Sequence, residues 1–331
     1  MIKRVLVAAI CLAAILSGCA TITHPAASDS KDNLIVVGFS QVGAESEWRV
    51  ANTESMKATL SEENGYELFF DDARNMQENQ FRAIRNFIQQ GVDYIVFSPR
   101  IETGWDSILQ EAREAGIPVI VIDRDIKTED ESLYKTYVGS DFRQEGEKAV
   151  QWLEELLERQ GRNAEPVRIV HIQGTIGSSA QIGRTAALEQ ASLRNANWEL
   201  VAQECGDFTR AKAYEVMGSI LKRTQDIDVV YCENDGEALG AIDAMEEAGM
   251  NCNAEDGVIV ISFDATKKGL EYCFDGRIAL NVECNPLQGP YVDEIIKKLW
   301  RGEIVERKKY IDETQFDFFT ITKGMIEGRG Y

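Results

Sequence analysis

From residue 34 onward, short apolar runs alternate with longer amphipathic stretches, and nothing else in the chain narrows the possible folds as much. The runs occupy residues 34–39, 66–70, 94–97, 117–122, 167–172, 229–231, 258–263 and 278–282. They are β-branched and do not alternate with polar residues, as expected of strands buried on both faces of a parallel sheet. The stretches between them have helical spacing. Phe81, Ile84, Phe87 and Ile88 share one face, opposite Asn79, Arg82, Asn86 and Gln89. Val150, Trp152, Leu153, Leu156 and Leu157 repeat the pattern among glutamates. Gly91, Gly116 and Gly249 stand where helices should stop. Such a βαβα series predicts doubly wound α/β architecture. Residues 34–139 and 140–283 show it twice, with similar rhythm.

A chain of 331 residues is long enough for two domains of ordinary size. Its start has a different character. Lys3 and Arg4 precede an apolar run over residues 5–16, too short to span a bilayer, which reads as the core of a signal peptide over residues 1–18. Leu16-Ser17-Gly18-Cys19 resembles the bacterial lipoprotein lipobox. That resemblance implies cleavage before Cys19, lipid on its sulfur, and an extracytoplasmic protein anchored to the cell membrane. Residues 19–33 then form a polar tether. The net charge of −20 argues against nucleic acid and anionic membrane surfaces as partners. Of the seven cysteines, Cys11 leaves with the signal and Cys19 carries lipid. Cys205, Cys232, Cys252, Cys273 and Cys284 remain, without metal-site spacing and with room for at most two disulfides.

The residues that close the apolar runs point to function. Ser40, Ser98, Asp123-Arg124, Gly174-Thr175, Glu233-Asn234, Asp264 and Glu283 each follow a run. Sheet stability does not require such residues, and the carboxyl edge of a parallel sheet is where open α/β proteins bind ligands. A lining of Asp, Asn, Glu, Arg and Ser suits a polyhydroxylated ligand, since carboxylates accept from hydroxyls, arginine donates and amides do both. Trp48 and Phe208 lie in loops where they could face the apolar side of a sugar. Structural roles compete. Ser98 and Asn234 could be helix N-caps; Trp48 could staple a helix start; Asp123-Arg124 could be an internal ion pair. From spacing alone, Arg184 reads as a solvated helix residue.

Several stretches carry a family resemblance: Val119-Ile120-Val121-Ile122-Asp123-Arg124, His171-Ile172-Gln173-Gly174-Thr175, Gly206-Asp207-Phe208-Thr209-Arg210, Glu233-Asn234-Asp235-Gly236-Glu237 and Ser262-Phe263-Asp264. In this order they resemble the periplasmic sugar-binding proteins of the ribose/galactose type, which serve ABC transporters. Gly38-Phe39-Ser40-Gln41-Val42-Gly43, Glu47-Trp48-Arg49 and Thr103-Gly104-Trp105 look most like the galactofuranose-binding branch. The resemblance implies a type I periplasmic binding protein, monomeric and without cofactor or bound metal. An N-terminal lobe (34–139 plus 284–312) and a C-terminal lobe (140–283 plus 313–331) would be joined by a three-crossing hinge. Ligand contacts would come from Ser40, Trp48, Arg49, Ser98, Asp123 and Arg124 in the first lobe. The second would supply Thr175, Arg184, Phe208, Asn234, Asp264 and Glu283. Ser98 and Glu283 stand where ribose binders carry amides, and Trp48-Arg49 replaces a phenylalanine pair, which argues against ribose itself. The function so implied is capture of a monosaccharide and its delivery to an importer's permease. A sensor subunit presenting a sugar or signal molecule to a receptor would carry the same cleft. An enzyme is disfavoured, because the chain has two histidines and no nucleophile elbow, Walker A sequence or dinucleotide fingerprint.

Overall fold

The computed structural model describes residues 34–331, so the expected signal peptide, Cys19 and the tether lie outside the described residues. The first half of the chain lays down β1 (Ile35–Gln41), α1 (Glu47–Thr59), β2 (Tyr66–Asp72), α2 (Gln77–Gln90), β3 (Tyr94–Phe97), α3 (Asp106–Glu114), β4 (Val119–Ile122) and β5 (Thr136–Gly139). The second half repeats the scheme. It runs α4 (Phe142–Arg159), β6 (Val167–Gln173), α5 (Ser179–Arg194), β7 (Trp198–Cys205), α6 (Arg210–Leu221), β8 (Val229–Cys232), α7 (Asp235–Glu247), β9 (Ile259–Asp264), α8 (Lys267–Phe274) and β10 (Leu280–Glu283). The chain ends in α9 (Gly289–Trp300), β11 (Lys308–Tyr310), β12 (Gln315–Asp317) and α10 (Lys323–Glu327).

Two sheets result, in the orders β11-β5-β4-β3-β1-β2 and β12-β10-β9-β8-β6-β7. All pairs in the first are parallel, while β12 runs antiparallel to β10 at the edge of the second. The chain leaves the first sheet after Gly139, leaves the second after Glu283 and passes between them again between Tyr310 and Gln315.

The unalternating runs are explained by helices on both faces. In β3, Ile95 and Phe97 pack with Ile84 and Phe87 of α2, while Tyr94 and Val96 pack with Met56 of α1 and Val292 and Ile296 of α9. Each such side chain, fully withdrawn from water, contributes about 1.5–3 kcal/mol. Gly38 lets α2 sit directly on β1: a Cβ there would lie 2.4 Å from the Phe87 ring. In the second sheet, Val229 and Tyr231 face α4 while Val230 and Cys232 face α6 and α7. Cys205, Cys232, Cys252, Cys273 and Cys284 are all free thiols. Among the described residues, no helix is long and apolar enough to cross a membrane.

Candidate functional site

In each sheet one strand, β1 or β6, has its chain neighbours on opposite sides, β2 and β3 in one case and β7 and β8 in the other. The loops after such strands diverge and leave a crevice at the carboxyl edge. Here the two crevices share a single cavity, walled by Glu45, Trp48, Arg49, Asp123 and Arg124 on one side and Arg184, Phe208, Asn234 and Asp264 on the other. Ser46, Phe142, Ala180 and Cys284 complete it. Three wall residues other than glycine hold left-handed or similarly strained backbone: Asp123 (φ 62°), Phe208 (φ 59°) and Asp264 (φ 107°). Such conformations cost about 1–3 kcal/mol each and persist where the surrounding structure enforces them, as at binding sites.

The first wall is a continuous network of charges, in which Glu45 Oε2 is buried without a partner among the described residues. Ser46 caps α1 by accepting from the Arg49 amide, and this turn aims Trp48 and Arg49 inward. Arg49 Nη1 donates to Asp123 Oδ2 at 2.5 Å and to Ser98 Oγ at 3.1 Å, while its Nε donates to Glu45 Oε1 at 3.1 Å. Ser98 Oγ donates to the same Asp123 oxygen at 2.6 Å. Arg124 donates to Glu45 Oε1 at 3.2 Å and to the Arg100 carbonyl at 3.2 Å. Burial pushes the Glu45 carboxyl up, but Arg49 and Arg124 outweigh it and hold that pKa below the ordinary range. Burial, and then the neighbouring Arg49 charge, depress the pKa of Arg124.

The second wall is left open. Arg184 donates through Nε to Glu145 Oε2 at 2.7 Å and through Nη1 to the Glu233 carbonyl, yet its Nη2 is buried with no partner among the described residues. The Asp264 carboxylate receives no hydrogen bond among the described residues, and burial, followed by the nearby Asp235, pushes its pKa well up. A fixed donor and an acceptor thus wait beside the same space. Asn234 caps α7, accepting from the Glu237 amide at 2.8 Å and donating to the Phe208 carbonyl at 3.1 Å, so the capping and lining roles coincide in one residue. The Phe208 ring passes over Gly174, where a Cβ would come within 1.9 Å of it. Arg124 stands 5.0 Å from the centre of that ring, a cation–π contact between the two walls. The Trp48 indole donates to the Cys284 carbonyl at 2.6 Å and joins Phe142, Ala180 and Phe208 in a small apolar cluster.

Four of the twelve expected contacts stand outside the cavity wall, each for a physical reason. Ser40 is sealed within β1 between β2 and β3. Ser98 lies behind the wall, where it orients Asp123 and Arg49 rather than facing the space. The Thr175 hydroxyl is spent on Asp207 at 2.7 Å. Glu283 turns to the C-terminal segment, accepting from Arg329 at 2.5 Å, Tyr331 at 3.1 Å and the Thr314 amide at 3.1 Å. Asp123 and Arg124 form a buried but loose ion pair, with Arg124 Nε 4.0 Å from Asp123 Oδ2, and the closer partner of Asp123 is Arg49 at 2.5 Å. Glu45, Phe142, Ala180 and Cys284 went unnoticed in the sequence. Glu45 follows β1 at the carboxyl edge, a position that could have marked it. The Cys284 thiol, pushed well up by burial and by Glu145, remains protonated and is no nucleophile.

The chain matches a family model described as a periplasmic binding protein domain over residues 37–303. It is 37% identical to the galactofuranose-binding protein YtfQ of Escherichia coli over 82% of this chain and 85% of that one. A Mycobacterium smegmatis structure in complex with β-D-fucofuranose shares 44% identity, covers 86% of this chain and 92% of its own, and superposes with a TM-score of 0.81. The periplasmic binding component of an arabinose ABC transporter from Shewanella sp. ANA-3, bound to α- and β-L-arabinofuranose, shares 38% identity over 89% and 95% of the two chains, with a TM-score of 0.82.

Proposed function

The chain belongs to the periplasmic binding protein family, and from that premise we propose that it captures a furanose-ring monosaccharide for an ABC importer. The observation that carries this reading is the pairing of an unbonded Asp264 carboxylate with the free Nη2 of Arg184 on the wall of one buried cavity. Asp264 would accept from sugar hydroxyls, while Arg184, Arg124 and Arg49 would donate. The apolar side of the ring would lie against Trp48 and Phe208. Relatives that share 37–44% identity with this chain are described as binding, or are seen holding, furanose sugars. In a site without water each mismatched polar group costs about 1–3 kcal/mol, so epimers are rejected steeply.

The passages after Gly139, after Glu283 and between Tyr310 and Gln315 serve in this proposal as a hinge between lobes 34–139 plus 284–312 and 140–283 plus 313–331. Closure would bury the sugar and create the surface that a permease reads. Lipid on Cys19 would keep the monomer near that permease; loss of detergent-phase partitioning in Cys19→Ser checks this part alone. A sensor role would use the same cavity and has no observation of its own in its favour.

The test is calorimetric titration of ligand-free protein with L-arabinose, D-fucose, D-galactose, D-glucose and D-ribose, each equilibrated to its natural mixture of ring forms. Saturable binding of sugars with an accessible furanose form, with an apparent affinity that rises with that form's share, is the expected result. Tight binding of glucose, which is almost wholly pyranose, with none of the others would overturn the furanose reading.

A further inference from the structure

Behind the Arg184 wall, the three passages between the sheets meet at a cluster of polar side chains that the sugar site does not use. Glu313, on the third passage, accepts through Oε1 from Ser140 Oγ on the first at 2.6 Å and from the Asn285 amide on the second at 2.6 Å. Ser140 Oγ also lies 3.2 Å from Cys284 Sγ. Glu145, at the start of α4, has one oxygen on Arg184, while its Oε1 is buried with no hydrogen-bond partner among the described residues. Carboxylate oxygens of Glu145 and Glu313 and the Cys284 sulfur all lie within 4.8 Å of one another.

The charges do not balance as drawn. One guanidinium, Arg184, faces two buried carboxylates, and two adjacent carboxylates in a dry site cannot both stay ionised. The other neighbours do not supply the missing charge. Cys284, Tyr137 of β5 and Tyr231 of β8 are neutral and Asp264 adds only an acid; Lys148 of α4, whose ammonium donates to the Glu313 backbone carbonyl at 2.7 Å, is only partly buried, so solvent screens its charge. A single proton held between the two carboxyls, whose oxygens lie within 4.8 Å, would remove the imbalance in one step.

We propose that Glu145 and Glu313 share a single proton across the hinge, taken from solvent as the lobes close, and that this proton positions Arg184 for the ligand. Burial, and then the Glu145 charge, push Glu313 up to about 9. Burial likewise raises Glu145 against the pull of Arg184. Opening the hinge would return Glu313 to water and to the ordinary carboxylate range. Closure therefore takes up a proton at neutral pH. Between the ordinary range and about 9, both closure and the folded state weaken as pH rises; above about 9 the dependence stops. The link to ligand rests on the function proposed above, whereas the shared proton does not.

Two measurements on the full chain separate these points. The first follows the melting temperature of ligand-free wild type and Glu313→Gln from pH 5 to 10.5. The amide keeps both acceptor bonds and can donate to Glu145, so the variant should gain on wild type as pH rises to about 9 and then hold a constant lead. Parallel curves would overturn the proposal. Should Glu313→Gln not fold, Glu145→Gln, which removes the charge facing Glu313 but not its burial, is expected to shrink the same pH dependence, and an undiminished dependence is equally fatal. The second measurement titrates L-arabinose at pH 7–9.5. Wild-type affinity should fall relative to Glu313→Gln by up to about tenfold per pH unit; an equal pH dependence would sever the proton from ligand capture. No binding of L-arabinose at any pH, with the melting behaviour as expected, would remove the arabinofuranose reading and leave the shared proton standing. Loss of stability on adding EDTA, restored by Zn²⁺, would mean that Glu145, Cys284 and Glu313 hold a metal ion in place of the proton.

Discussion

The two walls of the cavity use the same kinds of residue and differ in what those residues lack. On the first wall Arg49, Asp123, Ser98, Glu45 and Arg124 bind one another, and within that network Glu45 Oε2 alone is buried without a partner among the described residues. On the second, Asp264 has no hydrogen bond among the described residues, and Arg184 keeps one free nitrogen. The first wall is preorganised: its geometry exists before any sugar arrives. The second carries unmet polar groups, and the ligand is what completes them. A binding protein that must also release its cargo gains from that division, because one surface stays rigid while the other is stable only when filled.

Mutations should separate the walls by the sign of their effect on stability. Asp123→Ala, on the first wall, strips Arg49 of its closest buried partner. Breaking such a pair costs about 3–5 kcal/mol, so the ligand-free melting temperature should drop sharply and binding should vanish with it. Asp264→Asn, on the second wall, should cut sugar affinity by about 5- to 150-fold, corresponding to about 1–3 kcal/mol for an unmatched polar group. Yet it should leave the ligand-free protein as stable as wild type or more so, because an unpaired buried acid has gone. That acid also has a pH signature. Its folded pKa is raised above 3.8, so the stability it contributes is present below that value and is lost as pH climbs above it. The Asn variant should show a flatter stability profile over that window in thermal melts. If Asp264→Asn instead destabilised the ligand-free protein as Asp123→Ala does, the contrast between the walls would be wrong.

Smaller effects sharpen the picture. Ser98→Ala removes a hydrogen bond to a charged group, worth about 1.5–3 kcal/mol, and should weaken stability and binding together. Phe208→Leu keeps most of the apolar contact but removes the ring beneath Arg124. A cation–π contact of about 0.5–2 kcal/mol sets the expected loss in calorimetric affinity. Glu283→Gln should alter the melting temperature but scarcely the affinity, because that carboxylate is held by Arg329 and Tyr331.

The central strands could be read from the sequence because helices cover both faces and leave unbroken apolar runs. Of the edges only β2 could, as the run over residues 66–70. Strand β11 is exposed at every residue, and β7 is only partly buried along most of its length, so neither shows a run. Strand β5 is buried throughout, but Thr136 and Gly139 interrupt its pattern. At the site, Asp123, Asn234 and Asp264 stood out as polar residues closing buried strands, and their position at the sheet edge makes them wall residues. Arg184 did not, since helical spacing alone places an arginine in solvent; only its burial against Glu145 reveals it. Ser40 and Ser98 share the signal of the wall residues but lie within or behind the sheet edge, a difference of depth that periodicity does not encode. Glu313 was invisible for the same reason: its role exists only where three distant segments meet.

The open second wall is tested most directly by calorimetric titration of ligand-free wild type and Asp264→Asn with L-arabinose, alongside their melting temperatures without sugar. Wild type should bind saturably, and the variant about 5- to 150-fold more weakly, with its ligand-free stability undiminished. Undiminished affinity in a well-folded Asp264→Asn protein would contradict an open second wall.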